Sequence, residues 1–207
     1  MNPTDLTIEI VDATTVVGIQ PDDPNEPFQI DYSVRIPNNL FAIECRVIRQ
    51  SSAEAPPAIE IGLRNVADES LAVWFGITPP FDGFPDMETG GQSLWLIPEK
   101  DEKAYIEPNA LIPTQPQEGL WRLIRRFDIP QPATVIEMDP DEVVRRTYSM
   151  LFPPGSESEG QAATSDLTKV SGIYTFEDQH RVKAQPGKGG ESSLWVKTTV
   201  SVRIKRE

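Results

Sequence analysis

Two stretches of this 207-residue chain alternate apolar and polar side chains nearly one for one, and that pattern limits the fold more than any other feature. In the first, Phe28, Ile30, Tyr32, Val34 and Ile36 are interleaved with Gln29, Asp31, Ser33 and Arg35. In the second, Leu194, Val196, Val200, Val202 and Ile204 are interleaved with Trp195, Lys197, Thr199, Ser201 and Arg203. A strand turns successive side chains to opposite faces, so each stretch reads as an antiparallel strand with one face on a core and one on water. Shorter versions of the pattern predict strands at Leu6–Val11, Leu40–Ile48, Ile59–Asn65, Leu71–Thr78, Ser93–Ile97, Trp121–Phe127, Val143–Phe152 and Ile173–Asp178. No stretch keeps a helical period. Asp139-Pro-Asp-Glu-Val-Val-Arg-Arg opens like a capped first turn with Pro at N1, but it runs into Thr147-Tyr-Ser-Met-Leu-Phe and reads as a turn leading into a strand.

Composition agrees with the pattern. Val, Ile and Thr number 47 against 25 for Leu and Ala together. β-Branched side chains pack well on a pleated surface and lose rotamer freedom in a helix. Twenty prolines and 13 glycines punctuate the strands, and no apolar run approaches the roughly 20 residues that span a bilayer. About ten strands between turn signals predict an all-β, antiparallel sandwich. One domain over residues 1–207 is expected, with 1–27 as N-terminal strand and linker and 153–171 as a mobile loop.

The net charge of −13 is uneven: residues 1–120 carry 20 acidic and 6 basic side chains, residues 121–207 carry 12 and 13. So acidic a surface repels phosphates, which argues against a nucleic-acid partner. The basic segment, with Arg181, Lys183, Lys188, Lys197, Arg203, Lys205 and Arg206, pairs with its own acidic half or meets an acidic partner. Arginine exceeds lysine 12 to 7 and acids exceed both, a balance suited to high salt, where screening makes carboxylate repulsion cheap.

Catalysis finds little to work with. Cys45 and His180 are the only residues of their kinds, so neither an internal disulfide nor a Cys/His zinc site is available. Cys45 alternates with Phe41, Ile43 and Val47 and reads as a small buried hydrophobe. His180 lies among polar neighbours and reads as an exposed imidazole at a strand end. No Gly-x-Ser-x-Gly elbow, Walker A loop or Gly-x-Gly-x-x-Gly is present. The expectation is no catalytic residue, no metal and no cofactor. Asp22, Asp23, Asn25 and Glu26, and Asp82, Asp86 and Glu88, offer oxygens suited to Ca²⁺, but without EF-hand spacing they read as solvated loops.

Tryptophan carries the functional signal. If Val73, Phe75 and Ile77 face the core, Trp74 turns outward; Leu94 and Leu96 do the same for Trp95, and Val196 for Trp195. With Phe81 and Phe84 in the adjacent loop, these five residues are the predicted partner-binding patch. The competing reading is that the long loops Pro79–Gln92 and Pro98–Gly119 fold over the rings as a second small core.

The stretch Ile61-Gly-Leu-Arg-Asn-Val-Ala-Asp-Glu-Ser-Leu-Ala-Val-Trp-Phe-Gly-Ile-Thr-Pro-Pro-Phe resembles a group of haloarchaeal β-sandwich domains. Leu94-Trp-Leu-Ile-Pro, Leu120-Trp-Arg, Met138-Asp-Pro-Asp-Glu with Tyr148, and Gly172-Ile-Tyr-Thr-Phe-Glu follow in the same order as in that group. The resemblance covers roughly residues 58–180 and rests on order rather than on any single motif. It implies an immunoglobulin-like sandwich with a non-catalytic role, often at the cell surface. More distantly the layout is similar to the intracellular proteinase-inhibitor sandwich. The chain departs from that group's pattern at Leu120 and Ser171, where its members can place cysteines.

Together these features predict a non-enzymatic sandwich acting through a protein partner or self-assembly. Met1-Asn-Pro-Thr-Asp-Leu lacks the marks of a secretion signal, which favours a protein assembled where it is made, such as a virion component of a halophilic virus. The alternatives are an archaeal cell-surface module and a proteinase inhibitor presenting Pro79–Asp86.

Overall fold

The computed structural model describes residues 6–19, 30–31, 40–82, 94–100, 107–125, 134–154, 170–184 and 194–206. These form nine strands and one short helix: β1 (Leu6–Ile19), β2 (Phe41–Arg49), β3 (Ala58–Asn65), β4 (Leu71–Phe75), β5 (Trp95–Pro98), α1 (Pro108–Leu111), β6 (Thr134–Met138), β7 (Val143–Leu151), β8 (Gly172–Ala184) and β9 (Leu194–Arg206). They build two antiparallel sheets, a five-stranded one in the order β1-β9-β8-β4-β6 and a four-stranded one in the order β2-β3-β7-β5. The expected all-β sandwich of antiparallel strands is what the chain forms.

The alternation in β9 does what its pattern requires. Val196, Val200, Val202 and Ile204 are buried, with Thr198 between them, while Lys197, Thr199, Ser201 and Arg203 line the outer face. On its partner β1 the register slips between Ile10 and Asp12, leaving Val11 as an extra, exposed residue. A bulge of this kind reverses which residues face inward. Leu6 and Ile8 are buried before it and Val17 after it, so one strand of 14 residues runs through two opposite phases. A second slip between Val47 and Arg49 exposes Ile48 on β2.

Two apolar clusters lie between the sheets. In one, Leu6, Ile8, Phe176 and Val202 meet Ile59, Ile61, Leu96, Tyr148 and Met150. In the other, Val73, Phe75, Val182 and Val196 meet Phe41 and Leu63. A third cluster has the opposite strand phase: Trp95, Ile97 and Leu151 turn away from the inter-sheet core and pack with Ile77, Leu111, Trp121 and Leu123. Burying a large aliphatic or aromatic side chain contributes about 1.5–3 kcal/mol, so this outer layer matters to stability.

Segment 121–123 does not form the predicted strand. Phe152 instead bridges Arg122, its N–H donating to the Trp121 carbonyl while its carbonyl accepts from Leu123 N–H. The strand expected at Phe28–Ile36 and the loop 153–171 lie mostly outside the described residues; Asp31 makes an isolated bridge to Ile19.

Candidate interaction face

Across the outer face of the five-stranded sheet, strand register sets four side chains in one row. Gly18 opposes Trp195, Trp195 opposes Arg181, Arg181 opposes Trp74, and Trp74 opposes Val135. Neighbouring strands lie about 4.8 Å apart, so the backbones at Trp74 and Trp195 sit roughly 10 Å from each other with that of Arg181 between them. The Arg181 guanidinium lies 5.7 Å from the Trp74 ring centre, a cation–π arrangement. Both indoles are half-buried, Arg181 is exposed, and Val135 keeps 50% of its surface. The outward orientation expected of Trp74 and Trp195 is therefore present, and the arginine that stands between them in the row was not among the expected site residues.

Several basic and acidic groups elsewhere on this face pair with one another. Glu9 accepts from Arg203 and, at 2.7 Å, from Lys205, and those hydrogen bonds hold its carboxyl below the usual range. Lys197 pairs with Glu177 at 2.8 Å. The outer face of the four-stranded sheet carries a similar ladder: Glu44 bridges Arg64 and Arg145, and Glu60 bridges Arg46 and Arg145. The basic C-terminal segment thus pairs in part with its own domain.

The other predicted patch residues are placed differently. Trp95 does turn away from the inter-sheet core, but it is only 5% exposed, because Leu111, Trp121 and Leu123 cover it. Trp121 Nε1 donates to the Ser52 carbonyl at 2.9 Å and fixes that cover. The competing reading of the long loops, a second small core, holds for this ring. Phe81 is 1% exposed and belongs to the main inter-sheet cluster, so it offers no surface to a partner. Phe84 lies outside the described residues, as do Asp22, Asp23, Asn25, Glu26, Asp86 and Glu88. Pro79 to Phe81, the start of the proposed inhibitory loop, are buried.

Cys45 is half-buried against the main cluster, and burial pushes its thiol up to about 12. His180 is not exposed at a strand end. It is 1% exposed, because β8 continues to Ala184 and its alternation carries Phe176, His180 and Val182 onto the same inner face. The Phe75 ring meets the imidazole edge-on at 4.8 Å. Burial drives His180 down to about 4.

Around His180 lies a partly buried polar cluster that secures the turn Thr78–Asp82. The Asp82 carboxylate accepts from Ile77 N–H at 3.2 Å, Thr78 N–H at 2.7 Å and the Thr78 hydroxyl at 2.7 Å. Asp82 N–H donates to Asp178 Oδ2 at 2.6 Å. The Tyr148 hydroxyl donates to the Thr78 carbonyl at 2.8 Å and accepts from Phe81 N–H at 3.2 Å. Within this stretch Phe75, Ile77 and Phe81 enter three different apolar clusters, so seven residues tie the three together. Burial, followed by the nearby Asp82 charge, pushes the Asp178 carboxyl up to about 8.

The fold and its outer row define a two-sheet antiparallel β protein with a mixed aromatic and cationic face. Compared with known protein families, curated proteins and solved structures, the chain matches none. Among the described residues no helix is long and apolar enough to cross a membrane, and no three His, Cys, Asp or Glu side chains are grouped to hold a metal ion.

Proposed function

We propose that this chain is a non-enzymatic interaction protein, working by protein–protein contact through the outer face of its five-stranded sheet. One observation carries the reading: Trp195, Arg181 and Trp74 stand side by side on β9, β8 and β4, with half-exposed Val135 beyond. Trp and Arg are enriched at the centres of protein interfaces, where they combine large contact area with planar hydrogen bonding. A rigid sheet presents such a row with little ordering cost on binding. The burial of His180 supports the non-catalytic half of the reading, since the chain's one imidazole is withdrawn from any substrate.

The test is mass in solution by light scattering, at low salt and at about 2 M salt, where charge screening is short-ranged. Wild type, Trp74→Ala and Arg181→Glu are compared. Concentration-dependent oligomers that both substitutions dissolve are the expected result. A strict monomer in every condition overturns self-association through this face.

A further inference from the structure

A buried histidine with neither ring nitrogen in a hydrogen bond is unusual, because orphaned buried polar atoms cost about 1–3 kcal/mol each. His180 is in that position: neither Nδ1 nor Nε2 completes a hydrogen bond of normal geometry. Two acceptors face the ring. Asp178 Oδ2 stands 3.5 Å from Nε2, and the Pro80 carbonyl approaches the imidazole from the turn. Asp178 itself accepts from Asp82 N–H through Oδ2 and from Gln179 N–H at 2.7 Å through Oδ1.

We propose that Asp178 and His180 share one proton between Oδ2 and Nε2, as a neutral acid–imidazole pair that latches the Thr78–Asp82 turn onto β8, and that loss of this proton loosens the latch.

The N–H groups of Asp82 and Gln179 that donate to the Asp178 carboxyl favour its ionised form, but burial and the Asp82 charge outweigh them, and the remaining neighbours are consistent with a neutral pair. From the turn, the Asp82 carboxylate and the Pro80 carbonyl both bring negative potential toward the site. From β7, the Tyr148 hydroxyl is committed to Thr78 and Phe81, and Arg146 is the cation whose charge reaches that hydroxyl. From β9, the Thr198 hydroxyl donates to the Asp178 carbonyl at 3.4 Å, and from β4 the Phe75 ring closes the apolar side. Among the described residues no Lys or Arg forms an ion pair with the Asp178 carboxyl; its one such contact is His180. An ionised Asp178 would then sit beside Asp82 without a countercharge, which a buried site resists. A protonated Oδ2 donating to Nε2 removes that charge, satisfies the orphaned nitrogen and leaves Nδ1–H for the Pro80 carbonyl. When the proton leaves to solvent base, Oδ2 gains a full charge against Asp82 and Nε2 loses its donor.

The chain has one histidine, so its imidazole can be followed without ambiguity. The experiment is a long-range nitrogen–proton NMR titration of the wild-type ring from about pH 5 to about pH 9.5, across the normal range of histidine and beyond. The expected result is a neutral ring protonated at Nδ1 from the start, with no step near 6.5. A single change follows with a midpoint near the Asp178 value of about 8, and the Phe81 amide moves at the same midpoint. In Asp178→Asn that step is absent and the ring stays neutral. An imidazolium ring at neutral pH, a step near 6.5, or no change through pH 9.5 in the wild type overturns the proposal, and none of these readings needs the variant to fold.

Discussion

The side-chain amide of Gln50 pairs with both backbone groups of Ile8, its Oε1 accepting the N–H at 2.7 Å and its Nε2 donating to the carbonyl at 2.9 Å. β1 is an edge strand, and at Ile8 the amide takes the place of a neighbouring strand. Open edges invite pairing with other chains, and a side chain that occupies the backbone groups blocks that route. Gln50→Ala is expected to lower unfolding stability by about 1–2 kcal/mol, the worth of two partly exposed hydrogen bonds. Denaturant unfolding reads the loss. Gln50→Glu keeps the acceptor and removes the donor, so it should recover only part of it. Equal stability in all three proteins would show that water replaces the amide at no cost.

Glycine at position 76 is required by Asp82. A Cβ there would lie 1.6 Å from Asp82 Oδ2, far inside contact distance. Gly76→Ala must displace the carboxylate that holds Ile77 N–H, Thr78 N–H and the Thr78 hydroxyl, so a loss of about 3 kcal/mol or more is expected. The coupling can be isolated by a double-mutant cycle, because in an Asp82→Ala background the same substitution meets no carboxylate and should cost far less. Gly172 is the internal control. A Cβ there meets nothing within 4 Å, so Gly172→Ala should be neutral or stabilising by about 0.5 kcal/mol. Thermal unfolding of the five proteins decides the point.

The tryptophans separate what the sequence could disclose from what it could not. Alternation correctly turned Trp74, Trp95 and Trp195 away from the inter-sheet core, because phase is local. Whether a second layer covers an outward ring depends on distant residues, here Leu111 and Trp121 over Trp95, and no local pattern encodes that. Three other features were hidden for related reasons. The bulge at Val11 reversed the phase of β1 and concealed its second half. Edge strand β6 buries Thr134 and exposes Val135, the reverse of the usual sign, so it did not read as a strand. His180 is a polar residue in an inward position, and its neighbours in sequence pointed the other way. Trp95→Ala is therefore expected to cost about 3–5 kcal/mol, as for a large aromatic ring removed from a core, and Trp74→Ala about 1 kcal/mol. Denaturant midpoints test the contrast; equal losses would contradict the assignment of one ring to a core and the other to a face.

Stability should also depend on pH in a narrow window set by Asp178 and His180. The depressed His180 value, about 4 against 6.5 in the unfolded chain, contributes stability present above 6.5 and lost as pH falls toward 4. The raised Asp178 value, about 8 against 3.8, contributes stability present below 3.8 and lost as pH rises toward 8. Between about 4 and 6.5 the two effects oppose each other: the folded protein holds its proton on Asp178 and the unfolded chain holds one on its histidine, so the counts match and stability is flat. From 6.5 to 8 the folded protein binds one proton more than the unfolded chain. Stability then falls with a slope of about 1.4 kcal/mol per pH unit, or roughly 2 kcal/mol over the window. Unfolding midpoints of wild type and Asp178→Asn, measured at half-unit steps, check this. The wild type should decline across the window while the variant, which has no proton to lose there, stays level. A parallel decline in both proteins would assign the pH dependence to other groups.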